Sequence, residues 1–136
     1  MQLDKVQPKN KRQLKQLINY AFKHNIYDLN FIDTSEITDM SLLFSNYMRN
    51  FDVSSWDVSN VTNMGYMFYH CKNFNCDLSN WDVSKVKNMN YMFYNCKKFN
   101  CDLSYWDISN MTRWKNTFCG CDKMTIPNWY KLYHKK

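Results

Sequence analysis

At 136 residues, 45% hydrophobic and 18% aromatic, the chain is too apolar for a disordered polymer and long enough for one domain with its own core. Only two glycines (Gly65, Gly120) and two prolines (Pro8, Pro127) argue against a turn-rich sandwich or two domains on a linker. The net charge of +6 is concentrated at the two ends, since residues 26–121 hold eight basic and ten acidic side chains, so nucleic acid is not the expected partner.

The N-terminus, MQLDKVQPKNKRQ, lacks the apolar stretch of a secretory signal, and no run approaches the ~18 apolar residues of a membrane span. The expected location is intracellular, with the six cysteines in a reducing compartment. Residues 10–25 read as an amphipathic helix. Leu14, Leu17, Ile18, Ala21 and Phe22 follow the spacing of a single apolar stripe. Asn10 with Gln13 resembles a capping pair and Asn25 is placed to close the far end. Residues 1–25 are therefore expected to cap the remainder of the chain.

From residue 26 onward the chain is a repeat. The stretch CDLSNWDVSKVKNMNYMFYNCKKFN, residues 76–100, recurs 25 residues on, with Trp81, Asp82, Phe93 and Cys96 matched by Trp106, Asp107, Phe118 and Cys121. It recurs 25 residues back at Trp56, Asp57, Phe68 and Cys71, and more faintly over residues 26–50. A fixed period of this length is the signature of a solenoid whose units bury apolar surface only against their neighbours.

Each unit has two halves. In the first, two D-[VL]-S tripeptides suit tight turns, and Leu78, Trp81, Val83 and Val86 suit short extended pieces facing inward. In the second, Met89, Met92, Phe93 and Cys96 stand at i, i+3, i+4 and i+7, which predicts one or two helical turns with Asn88 at the N-cap. The expected fold is an α/β repeat solenoid: a right-handed, leucine-rich-repeat-like coil of about four 24–25-residue turns, each a short strand plus a short helix. Units are expected at 26–50, 51–75, 76–100 and 101–125. A pentapeptide-type β-helix is the alternative, because 25 is five times five and D-[VL]-S fits it. Residues 126–136 form a C-terminal cap and basic tail: a helix starting at Pro127 brings Trp129, Leu132 and Tyr133 under the last unit, with Lys131, Lys135 and Lys136 at its C-terminal end.

The residues FNCDLSNWDVSKVKNMNYMFYNCKKFN closely resemble the 25-residue repeat of the BspA-like leucine-rich-repeat family, also known from mycoplasma surface lipoproteins as a domain of unknown function. The core W-D-[VI]-S-x-[VM]-x-x-[MW], followed by Phe and Cys, stands at 56–71, 81–96 and 106–121, and the resemblance covers residues 26–125. It implies a non-catalytic repeat scaffold, displayed on cell surfaces in many members and linked to adhesion or host contact. This chain departs from the secreted members in lacking a signal peptide and a lipobox cysteine. Signal-less copies are known in large DNA viruses of protists, which would place such a protein in the host cytoplasm or the virion.

The chemistry-bearing residues favour plain readings. Cys71/Cys96/Cys121 and Cys76/Cys101 form two ladders, best read as buried free thiols rather than zinc ligands or disulfides, with Cys119 exposed. Asp52/Asp77/Asp102 and Asp57/Asp82/Asp107 are stacked carboxylates, better satisfied by capping their own turns than by calcium. His24, His70 and His134 do not recur, and no phosphate loop exists. No enzyme, cofactor, metal or small-molecule substrate is expected. The expected function is a monomeric scaffold that binds a protein, with no membrane contact. Its candidate face is the set of positions that vary while their neighbours stay fixed: Ser55, Asn80 and Tyr105, with Asn60, Lys85 and Asn110. The alternatives are nucleic-acid binding through the basic end caps and surface tyrosines, and a structural protein that polymerises end to end.

Overall fold

A computed structural model describes residues 5–134, the side chains of 133 and 134 excepted. The first four residues of the expected N-terminal cap, the Tyr133 side chain and the Lys135–Lys136 tail lie outside the described residues. Helix α1 spans Lys11–Lys23. Asn10 caps it, its side-chain oxygen accepting from the Gln13 N–H at 2.9 Å, and Gln13 reaches back to the Lys9 N–H at 2.8 Å. At the other end Asn25 turns left-handed (φ 59°), Ile26 N–H donates to Ala21 and Asn25 N–H to Phe22, which is the Schellman closure. Leu14, Ile18 and Ala21 are buried against the repeats. Helix α2 spans Asn128–His134.

Between the helices the expected α/β class fails. Among the described residues there is no strand and no helix besides α1 and α2; parallel pairing consists of isolated bridges such as Asp39↔Asn63, Asn63↔Asn88 and Asn88↔Arg113. A leucine-rich-repeat-like coil of strand plus helix is therefore not what this sequence forms. Nor is the alternative, a pentapeptide-type β-helix, since no strand forms among the described residues.

The reason lies in where the amides go. Around Phe68 they alternate. Met67, Tyr69 and Cys71 donate three residues back, to Met64, Tyr66 and Phe68, closing tight turns. Tyr66, Phe68 and His70 donate instead to the Asn90, Met92 and Tyr94 carbonyls of the next unit, at 2.9, 2.9 and 2.8 Å. A helix needs all of these amides to reach four residues back, and a regular strand has no use for the backward turns. Left-handed φ values at Tyr66 and His70, repeated at Tyr91 and Asn95, break the helical run. The i, i+3, i+4, i+7 pattern survives because consecutive turns also return side chains to one side.

Successive units thus lie on one another with equivalent residues 24–25 positions apart. In the half containing Trp, Asp side chains accept the N–H of the residue two on: Asp28 from Asn30, Asp52 from Ser54, Asp57 from Ser59, Asp77 from Ser79 and Asp82 from Ser84, at 2.9–3.0 Å. These turns make the corners. Inside, Phe44, Phe68, Phe93 and Phe118 stack in a column with centroids 5.7, 5.4 and 5.6 Å apart and planes within 7°. Phe51, Phe74 and Phe99 run beside it. The Trp half faces this column across the core, with Trp81 6.2 Å from Phe68 and Trp106 6.3 Å from Phe93. Each indole N–H is satisfied by a carbonyl of the unit before, Trp56 by Leu29, Trp81 by Val53 and Trp106 by Leu78.

The ends are closed by side chains that imitate a missing unit. The first unit lacks a predecessor to donate to its Leu43 carbonyl, and Lys15 Nζ of α1 does so at 2.7 Å. At the other end Trp129 of α2 donates to the Leu103 carbonyl at 2.9 Å, continuing the indole series. Leu132, expected beneath the last unit, is 67% exposed instead, because the 7-residue helix turns Trp129 and Tyr130 inward. Ahead of the helix, within the expected cap, Val6 also joins the stack: it bridges Ile32, donating to Phe31 and accepting from Asp33.

Candidate functional site

The Asp ladders and Cys ladders are occupied internally. Asp33, Asp52, Asp77, Asp82, Asp102 and Asp107 are held below the usual carboxylate range, first by the hydroxyl of the following Ser and then by its N–H. Cys71, Cys96 and Cys121 point their thiols at the Phe44, Phe68 and Phe93 carbonyls, 2.9–3.0 Å away. Burial pushes Cys71, Cys76 and Cys121 up to about 12, Cys101 to about 11, and Cys96 higher still. All six cysteines are free thiols, and Cys119 alone is exposed. Such thiols are hydrogen-bond donors, not nucleophiles. Among the described residues no group of three or more His, Cys, Asp or Glu is placed to hold a metal ion.

The six candidate face residues are all exposed on the Trp half. They are not equivalent. Asn60 donates to the Ser35 carbonyl, Lys85 to the Asn60 side chain and Asn110 to the Ser84 carbonyl, at 2.8, 3.0 and 2.7 Å. That column stitches units together with the polar atoms it would otherwise offer a ligand. In the other column Ser55 gives its backbone N–H to Asn30. Tyr105 is 92% exposed, a large aromatic held in solvent where the other units carry Ser55 and Asn80.

Two further surfaces were not picked out from the sequence. A groove of about 440 Å³ follows Asp28, Asp52 and Asp77, floored by Phe51 and Cys76. A second hollow shares Asn75 and Asp77 with it and runs on to Asp102, so the groove follows the length of the stack. In the Phe half, Tyr66 stacks on Tyr91 at 4.9 Å and Tyr69 on Tyr94 at 5.2 Å, forming a four-ring tile beside His70. The sequence offers surface tyrosines and their 25-residue recurrence, but not their stacking into one tile. The helical reading of their segment put Tyr66 and Tyr91 on turns that do not exist.

Folding also sorts charge. The halves around Phe (38–50, 62–75, 87–100 and 112–125) hold eight Lys/Arg and two Asp; the halves around Trp (26–37, 51–61, 76–86 and 101–111) hold nine Asp/Glu and one Lys. The near-neutral average of the repeats conceals a basic side and an acidic side. Among the described residues no helix is long and apolar enough to cross a membrane.

Searches of the curated proteins and of the solved structures found no match. The model of the family described as "Mycoplasma protein of unknown function, DUF285" matches residues 12–129, from the second residue of α1 to the indole that ends the Trp series, and the chain belongs to that family.

Proposed function

We propose that the chain is a non-catalytic scaffold that binds a protein partner, with Tyr105 as the anchor. The observation that carries this reading is the 92% exposure of Tyr105 on a corner whose neighbours, Trp106 and Leu103, are locked in the core. A rigid, amphipathic ring presented without support is the side chain that most often concentrates binding energy at protein interfaces. The BspA-like resemblance of the repeats supports the same reading, and with it a role in surface or host contact. The thiols and carboxylates that would serve catalysis are tied into the stack. The test is affinity for a partner captured from the native cell and then purified. Tyr105→Ala should weaken binding at least about thirtyfold, as loss of a hot spot of about 2 kcal/mol does. Unchanged affinity in a folded Tyr105→Ala protein would remove Tyr105 from the interface.

The alternative of nucleic-acid binding finds its support in the Phe half rather than in the end caps. There tyrosines and cations adjoin, the combination that single strands bind. Binding of this kind would fall steeply with salt.

A further inference from the structure

Tyr66 and Tyr91 occupy backbone that disfavours them. Both lie in the left-handed region, φ 58° and 57°, where Asn or Gly is at ease and a bulky residue is strained. The equivalent position of the last unit is Asn116, with φ 52°, so the fold itself accepts Asn there. Two strained aromatics, one of them 36% exposed, add nothing to the core. Their use must be sought on the surface. In the same Phe halves Lys72, Lys87, Lys98, Arg113 and Lys115 are exposed, and residues 62–75 and 87–100 contain no acidic side chain.

The complement to this face is on the same molecule. It is the groove along Asp28, Asp52, Asp77 and Asp102. Three of these four carboxylates are held ionised by their serines. The units repeat at one spacing through the core, 5.4–5.7 Å between successive rings of the Phe column, so the residues of both faces recur with that repeat. Lys72 and Lys97, at equivalent positions of successive units, can meet successive aspartates of a neighbouring stack.

We propose that copies of this chain associate side by side, the basic tyrosine tile of one seated on the acidic groove of the next. The contact is heterologous: each pair keeps one tile and one groove free, so association continues into rows. This departs from the expected monomer. It also differs from end-to-end polymerisation, which α1 and α2 obstruct.

The test is sedimentation velocity of the full chain. At about 0.01 M salt the mean sedimentation coefficient should rise with protein concentration, and at about 1 M, where the Debye length falls to about 3 Å, only monomer should remain. Tyr66→Asn with Tyr91→Asn disables the tile while suiting the backbone; Asp52→Asn with Asp77→Asn disables the groove while keeping the turns, since Asn caps them equally well. Each double variant alone should be monomeric at low salt, and an equal mixture should form a dimer and nothing larger. A native protein that stays monomeric at low salt overturns the proposal, as do variants that associate like the native chain. A single-stranded oligonucleotide held through Tyr66 and Tyr91 by an otherwise monomeric protein overturns it too and gives the tile to nucleic acid. None of these readouts uses the Tyr105 partner, so the two readings fail separately.

Discussion

Among single residues, the tryptophans and Tyr105 show how little sequence distance separates core from solvent. Trp81 is 4% exposed, Trp106 5% and Tyr105 92%. Truncating a core aromatic typically costs about 3–5 kcal/mol, whereas a surface change usually stays within about 0.5 kcal/mol. Trp81 lies between two complete units, while Trp106 has only α2 beyond it. The expected order in denaturant melts is therefore Trp81→Ala most damaging, Trp106→Ala next and Tyr105→Ala near neutral. A Tyr105→Ala melt as early as that of Trp106→Ala would mean the corner packs against something. The thiols divide as sharply. Cys119 should react with a thiol reagent at once in the native protein, and the other five only on unfolding, because burial keeps them protonated. More than one fast thiol would contradict the buried ladders.

Among elements, α1 does more than cover apolar surface. Lys15 is exposed along its length, yet its ammonium is drawn onto the Leu43 carbonyl and its pKa is lowered, chiefly by desolvation. Phe22 of the same helix stacks on Tyr47 at 3.9 Å, extending the aromatic columns by one ring. Lys15→Met keeps the stem and leaves the carbonyl without a donor, for a cost of about 1 kcal/mol. Asn10→Ala removes the cap and should cost about as much. Deleting residues 1–25 removes both with Leu14, Ile18 and Ala21, and should give aggregation or loss of cooperative unfolding. Recovery of that truncation as an equally stable monomer would show that the repeats close their own end.

In the whole molecule, the two ladders set the pH range of stability. The aspartates have folded-state pKa values below the ordinary 3.8, so their contribution is complete above that value and is lost as pH falls through the folded-state values. The thiols have folded-state values above the ordinary 9.0, so theirs is complete below pH 9 and is lost as pH rises toward about 12. Thermal melts should show a plateau from about pH 5 to 9 with a fall on either side. Replacing Cys71 and Cys121 by Ala should lower the plateau and flatten the alkaline fall. An alkaline limb unchanged in that variant would assign the fall to tyrosines or lysines instead.

The period, the helix at 10–25 with its Asn10 and Asn25 ends, and the inward Trp, Phe, Met and Cys positions were all legible in the sequence. They depend on local patterning, and for the Trp, Phe and Cys positions that pattern returns in three successive units. The conformation of the Phe half was not legible. Its apolar spacing fits a helix and a run of tight turns equally, and the choice falls to the amides of Tyr66, Phe68 and His70, whose partners lie 24 residues away. The outward corner carrying Tyr105 followed from the repeat phase, whereas the tile and the groove did not. Charge order along the chain averages to near neutrality, and only closing each unit around the core puts nine acidic side chains on one side and eight basic ones on the other.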